Sequence, residues 1–307
     1  PKAKNLNAEK YVAGLSLFKQ KTAKVKLSAN ESALGPSPKA VREYLKVAKN
    51  FKRYPDANGS FLRKTIAKKF KLDQSRIILG NGSDQILELV CKAFLDKNDE
   101  AIVTQYSFII YRIYSKLNLA KVVYAPDKNF TSSVDNILSC VSRKTKIVFI
   151  ANPNNPTGTY VEKKEILRLR KKLRSDILLV IDDAYFEYID LKDYECGLKL
   201  FSKFKNVIVT RTFSKIYGLA GLRIGWGYAS KNIIDSLYKI KPPFNVSRPA
   251  LFAATAAIKD TTWLNKEIRH VRKWSKKFYD IFKKLNIHTN RTRVNFLLIN
   301  FNRVKKT

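Results

Sequence analysis

The sequence predicts an α/β fold: a mainly parallel sheet with helices on both faces, followed by a smaller α+β domain. Two patterns predict it. Short β-branched runs alternate with helical stretches through about residue 240, as parallel strands joined by crossover helices do. After about Lys241 the alternation gives way to two helical stretches and one apolar run.

The predicted strands are Ile77–Leu79, Ala101–Thr104, Lys146–Ala151, Ile177–Asp182 and Asn206–Thr210, each a short apolar run bounded by turn residues. The predicted helices are Pro38–Lys49, Ser60–Phe70, Asp84–Leu95 and Glu162–Leu173, where apolar positions recur at helical spacing. In the second part, Ser247–Lys259 and Trp263–Lys284 read as helices and Val294–Phe301 as a strand. The organisation expected is an N-terminal arm over 1–30, a large domain over 31–240 and the start of a small domain over 241–307. One strand on two helices is an incomplete layer, so the small domain is expected to be cut short at Thr307.

Composition narrows the function classes. The chain has 307 residues with 45% hydrophobic content, enough for a large buried core. No apolar run approaches the ~20 residues of a membrane span, and the polar, lysine-rich N-terminus carries no signal-peptide core. Cys91, Cys140 and Cys196 form no C-x-x-C pair, so neither zinc nor a redox motif is indicated, and reduced cysteines in the cytoplasm are expected. The two histidines, His270 and His288, lie in the basic C-terminal region away from any acid cluster or nucleophile; no metal site and no Ser-His-Asp triad is expected. The net charge of +35 would suit nucleic acid. Its lysines, however, are spread along the whole chain, which argues for a solvated surface rather than a binding stripe.

Four segments fall where strands end, the edge at which such sheets bind ligands. Gly80-Asn81-Gly82-Ser83-Asp84 joins a strand to a helix, and its glycines and free helix N–H groups suit a phosphate. It is neither a dinucleotide fingerprint, because Gln85 stands where glycine is needed, nor a P-loop; an ordinary turn with Asp84 as helix cap is the plain alternative. Asn152-Pro153-Asn154-Asn155-Pro156-Thr157-Gly158 is a turn-rich loop that would hold an Asn amide in place. In Asp182-Asp183-Ala184-Tyr185, a carboxylate at a buried strand end needs a partner, and a cationic ring nitrogen is one. Asp182, which continues the strand, is the candidate; Asp183 reads as a cap or a solvated acid. Thr210-Arg211-Thr212-Phe213-Ser214-Lys215, with Gly221-Leu222-Arg223 after it, places hydroxyls around one lysine and an arginine eight residues on. That combination suits an activated amine beside a phosphate.

In this order and spacing the four segments resemble the fold-type-I pyridoxal-phosphate (PLP) aminotransferases. Within them Leu27-Ser28-Ala29-Asn30-Glu31-Ser32, Arg53-Tyr54-Pro55-Asp56 and Pro243-Phe244-Asn245-Val246-Ser247 are similar to the histidinol-phosphate branch. The resemblance implies a Schiff base between PLP and Lys215, Asp182 paired with the pyridine N–H, and Tyr185 and Asn155 on the ring 3-oxygen. It implies that Phe108 stacks on the ring and that Gly82, Ser83, Asp84, Thr212, Ser214 and Arg223 surround the phosphate. Tyr54 would reach the phosphate of a neighbouring subunit, hence a homodimer, and Tyr11 and Asn30 are implied as substrate contacts. The implied reaction is amino transfer between L-histidinol phosphate and 2-oxoglutarate in histidine biosynthesis. The alternatives are an aromatic aminotransferase or a threonine-phosphate decarboxylase on the same motifs, and, from another class, a basic nucleic-acid-binding protein. The family usually continues beyond this point to an arginine that clamps the substrate carboxylate. Arg303 lies too early to match it, so that contact is expected to be missing, unless Arg248 or Arg303 replaces it.

Overall fold

Buried apolar runs of four to seven residues form the centre of the molecule. The computed structural model describes residues 9–12, 17–18, 21–22, 26–50 and 52–301. The short antiparallel pair β1 (Leu17–Phe18) and β2 (Lys21–Thr22) comes first. Helix α1 (Pro38–Ala48) starts on Ser37, whose hydroxyl accepts from the Ala40 amide, and α2 (Ser60–Phe70) follows. Strand β3 (Ile77–Gly80) then runs directly into α3 (Gly82–Phe94).

The alternation continues with β4 (Glu100–Thr104), α4 (Ile110–Leu117), β5 (Lys121–Ala125), α5 (Val134–Ser139), β6 (Thr145–Ala151) and α6 (Lys163–Lys172). After these come β7 (Leu178–Asp182), α7 (Gly197–Phe201), β8 (Val207–Thr212), β9 (Gly225–Ala229) and α8 (Lys231–Ile240). The sheet order is β3-β9-β8-β7-β6-β4-β5, and β9 alone in this sheet runs antiparallel to its neighbours. Its strands are therefore mainly parallel, as predicted.

The period-two alternation of β-strands sorts the core into two layers. Ile147, Phe149, Leu178, Val180 and Ile208 join α3, α4 and α8 on one face. Val148, Ile150, Leu179, Ile181, Val207 and Val209 join α1, α2, α6 and α9 (Arg248–Lys259) on the other. Burial on both faces is why these strands read as continuous apolar runs. Helix α9 packs on α1 and α2, so residues beyond 247 complete a layer begun near residue 38. The 24-residue α10 (Thr261–Lys284) follows.

One predicted element differs. Instead of a strand over Val294–Phe301, only Ile299–Asn300 (β11) pairs, with His288–Thr289 (β10). The apolar residues ahead of it are used in packing instead: Val294 is buried in the core and Phe296 meets Tyr185 edge-on at 5.0 Å. Arg303, considered as a clamp, lies outside the described residues; Arg248, at the start of α9, sits with its guanidinium 5.7 Å from the ring of Phe252.

Candidate active site

Parallel strands bring their carboxyl ends to one edge, and the register lines up the candidate residues there. Asp182 lies opposite both Ala151 of β6 and Thr210 of β8, while Gly80 and Thr212 both lie opposite Gly225, the first residue of β9. The reversed strand thus joins the turn after β3 to the turn after β8. A Cβ at Gly225 would sit 2.2 Å from the Ser83 amide nitrogen, so only glycine lets β9 and the start of α3 approach this closely.

That start is built to take an anion. The N-cap Asn81 makes no side-chain bond to the helix; Gln85 instead accepts the Asn81 amide at 2.8 Å. Gly82, Ser83 and Asp84 offer their amides in the first turn. Gly82 has φ +75°, and the Arg223 guanidinium lies where its Cβ would be, 2.5 Å away. Arg223 also donates to the Ser214 hydroxyl at 3.2 Å and the Ala220 carbonyl at 3.1 Å, and the Ser214 amide donates to the Thr212 hydroxyl at 3.0 Å. Asp84 is not the cap the sequence allowed. It sits in the first turn, its carboxylate accepts from the Tyr114 hydroxyl at 2.9 Å, and burial raises its pKa, with the Tyr114 bond and Arg223 opposing.

Lys215 follows on a loop pinned by three backbone bonds: Phe213 to Ile224, Leu219 to Phe213 and Gly218 to Lys215 itself. Its ammonium donates to the Ala29 carbonyl at 3.0 Å and lies 5.6 Å from the Tyr185 ring. Burial pulls its pKa down to about 8; Glu31 raises it, Arg223 lowers it further and Asp182 raises it. An amine with such a pKa is a usable nucleophile near neutral pH.

Asp182 is fully enclosed. Its Oδ2 accepts from the Tyr111 hydroxyl at 2.8 Å. Its Oδ1 is buried and accepts no well-formed hydrogen bond among the described residues, although the Thr210 hydroxyl and the Ala184 amide are near enough to act on its charge. Burial raises its pKa, against those donors and Lys215. An unfilled carboxylate oxygen on a strand end beside an activated lysine fits a protonated ring nitrogen.

Asp183 corrects the sequence reading. It is neither a solvated acid nor the cap of its own segment. It continues the alternation of β7 onto the opposite face, where it is 1% exposed and accepts the Gly197 amide at the start of α7 from 14 residues away, at 2.8 Å. Burial pushes its pKa up to about 8, with Arg211 opposing. Arg211, on the same face, is 1% exposed, pairs with Glu187 at 2.5 Å and lies against the rings of Phe70, Phe186 and Trp226. The sequence showed Arg211 and Glu187 only as neighbours of motif residues.

The rest of the site comes from further away. Tyr185 is buried and accepts from the Asn30 side-chain amide at 3.2 Å; burial raises its pKa, and Tyr11 is close enough to add to the rise. Asn30 is thus committed to Tyr185, and its carbonyl accepts from Asn295 at 2.9 Å. Phe108, half-buried after β4, stands edge-on to Tyr111 with centroids 5.8 Å apart. Asn155 is half-buried in the loop after β6, where Asn154 bonds the Tyr106 carbonyl and Thr157 hydroxyl, each at 2.9 Å. Tyr54 stands apart, 79% exposed, its ring stacked on Phe244 at 4.6 Å. Tyr111 and Asn295 are site residues that sequence reasoning missed. Tyr111 lies three residues after Phe108, the spacing of one helical turn, which was its only signal.

Comparison with known proteins agrees with this geometry. The family model for aminotransferase class I and II matches residues 22–306. The chain is 50% identical over 305 residues to a histidinol-phosphate aminotransferase of Pelagibacter ubique (strain HTCC1062), covering 99% of this chain and 85% of the relative. It is 45% identical over 297 residues to the enzyme of the same name from Rhodopseudomonas palustris (strain TIE-1), covering 96% and 81%. Among solved structures it is similar to histidinol-phosphate aminotransferase from Sinorhizobium meliloti in complex with pyridoxal-5'-phosphate, with a TM-score of 0.86 and 25% identity over 90% of this chain and 75% of that one. A Thermus thermophilus aspartate aminotransferase mutant shares the fold, with a TM-score of 0.82 and 19% identity over 91% of this chain and 81% of that one.

Proposed function

Because the chain belongs to the aminotransferase class I and II family, we propose that the edge of the sheet described above carries out amino transfer between L-histidinol phosphate and 2-oxoglutarate, yielding imidazole-acetol phosphate and glutamate. The chain is a PLP-dependent transaminase of histidine biosynthesis. The single observation that carries the assignment of residues is the buried, half-satisfied carboxylate of Asp182 on the strand next to the one leading into Lys215.

When bound, the cofactor supplies a conjugated pyridinium that takes up the electron pair left as a bond to the substrate Cα breaks. Each protein group then has a defined task. Lys215 Nζ would hold the cofactor covalently at rest and, once released, would carry the proton between the substrate Cα and the cofactor's C4′ carbon. Asp182 Oδ1 keeps the ring nitrogen protonated. Tyr185 Oη and the Asn155 amide hold the ring 3-oxygen, and Phe108 covers one ring face. The amides of Gly82, Ser83 and Asp84, the hydroxyls of Thr212 and Ser214 and the Arg223 guanidinium anchor the phosphate. Tyr11 and Asn30 border the space left for the substrate. Tyr54, exposed on its own subunit, completes the phosphate site of a second copy, so the working form is a homodimer, and the small phosphorylated substrates are those of a cytoplasmic pathway.

The test is direct. The 307-residue chain with added PLP should gain visible absorbance that borohydride abolishes, with the label on the peptide containing Lys215. It should then transaminate histidinol phosphate in preference to phenylalanine, and without releasing carbon dioxide from threonine phosphate. Labelling of another lysine, or a preference for either rival substrate, would sink the assignment.

A further inference from the structure

We propose that Tyr111 is a positioning residue for Asp182: its hydroxyl holds one carboxylate oxygen so that the other stays ionised and turned toward the cofactor's ring nitrogen. The inference rests on the reading of Asp182 as that nitrogen's partner. Three observations carry it. The Tyr111 hydroxyl donates to Asp182 Oδ2 at 2.8 Å in a fully buried setting. Asp182 Oδ1 is left without a well-formed bond among the described residues. The phenol itself is locked, since its ring stacks on Phe149 of β6 with centroids 5.0 Å apart and planes at 5°. The donor therefore cannot swing away while the fold is intact.

The chemistry follows from a competition for one proton. A carboxylate and a pyridine nitrogen facing each other share a proton, and it resides on whichever is the stronger base. Burial strengthens Asp182 as a base. A hydrogen bond donated to its other oxygen stabilises the anion and weakens it, so the proton stays on the ring. Tyr111 has no competing use for its proton, because burial and the adjacent Asp182 charge hold its pKa well above the ordinary value. Helix α4 links this to a second function. Phe108, three residues earlier, is the residue expected on the ring face, and its carbonyl accepts the Tyr111 amide at 3.3 Å. One turn of chain thus carries both the aromatic that would cover the ring and the hydroxyl that holds the Asp182 carboxylate.

The test uses the full chain reconstituted with PLP labelled with ¹⁵N in the ring. Tyr111→Phe keeps the stacked ring and removes only the hydroxyl. The expected result is an unchanged borohydride label on Lys215, a ring ¹⁵N resonance moved toward the unprotonated position, and a kcat about tenfold lower with KM for histidinol phosphate nearly unchanged. Phe149→Leu loosens the stack that holds the phenol but leaves the hydroxyl in place; it should lower the melting temperature and move the resonance by clearly less than Tyr111→Phe does. An unmoved resonance in Tyr111→Phe with a normal Lys215 label would overturn this inference alone. An equal shift in Phe149→Leu would also overturn it, by showing that packing and not the hydroxyl matters. Absence of the Lys215 label in the wild-type chain would overturn the cofactor assignment and this inference together.

Discussion

The side-chain amide of Asn30 donates to the hydroxyl of Tyr185 across 155 residues of sequence, at 3.2 Å. A phenol oxygen occupied by a donor must send its own proton elsewhere, and the 3-oxygen of the cofactor is the acceptor that the proposed function places there. Asn30 therefore fixes the direction in which Tyr185 donates. Asn30→Ala should weaken PLP binding by about two- to tenfold, the range of one ordinary hydrogen bond, as measured by absorbance titration. An unchanged affinity would show that Tyr185 orients itself without help.

Lys215 should behave as a weak base. With a pKa lowered to about 8, the amine at pH 7 is neutral about 230 times more often than an ordinary lysine of pKa ~10.4. The rate at which the cofactor-free chain captures PLP, quenched with borohydride, should rise through pH ~8 and level off above it. A rate still climbing steeply at pH ~10 would mean that the amine is unperturbed. Arg223→Met removes a charge that lowers this pKa and should move the profile upward.

The twin carboxylates should separate cleanly. Asp182→Asn cannot hold a proton on the ring nitrogen, and kcat should fall about a hundredfold or more while some cofactor binding remains. Asp183 acts on stability instead. Its pKa is raised by burial to about 8 in the folded chain, so folding favours its protonated form. That contribution is complete below the ordinary carboxylate pKa near ~4 and is lost as pH rises through ~8. Asp183→Asn resembles the protonated form and does not titrate. Thermal melts should therefore match wild type near pH ~5 and show a smaller loss than wild type toward pH ~9. Parallel losses in the two proteins would place the titration elsewhere.

Tyr54 should report on assembly. Its 79% exposure leaves it free for the second copy that the proposed function calls for, and Tyr54→Ala should weaken PLP binding without lowering the melting temperature of the chain. Sedimentation should show a dimer that moderate salt favours, since a net charge of +35 on each copy opposes association until it is screened. A fully active monomer would rule out the shared phosphate site.

Legibility in the sequence followed burial. The predicted counterparts of β3, β4, β6, β7 and β8 came within two residues of their observed ends, because strands covered on both faces leave uninterrupted apolar runs. Strand β5 was missed because its burial is mixed, from the exposed Lys121 to the buried Ala125. Strand β9, Gly-Trp-Gly-Tyr-Ala, was missed because glycine has low strand propensity, and here glycine answers to the close approach of α3. Helix α4 is rich in Ile and Tyr, which favour strands when read alone. In the candidate site, motif residues were recognisable from their resemblance. Their partners were not, because Tyr111, Arg211 and Asn295 meet their targets only through the fold. Asp183 was misread for the same reason: nothing in the sequence showed that α7 and Arg211 would close over that strand end.

The reversed strand β9 also sets a timetable. The phosphate end of the site needs Gly80 and Thr212 on either side of Gly225. During synthesis, the roughly 145 residues from Gly80 to Gly225 emerge at about 5–20 residues per second, which takes about 7–30 seconds. Through that interval β3 has no partner in its own sheet, and its apolar Ile77, Ile78 and Leu79 cannot yet be covered by the ladder that later buries them. Pairing so distant in sequence is slow to form and leaves an open edge meanwhile. Release of a chain that ended before residue 225 would strand β3 permanently, so a premature stop there should yield aggregate and not a cofactor-binding core.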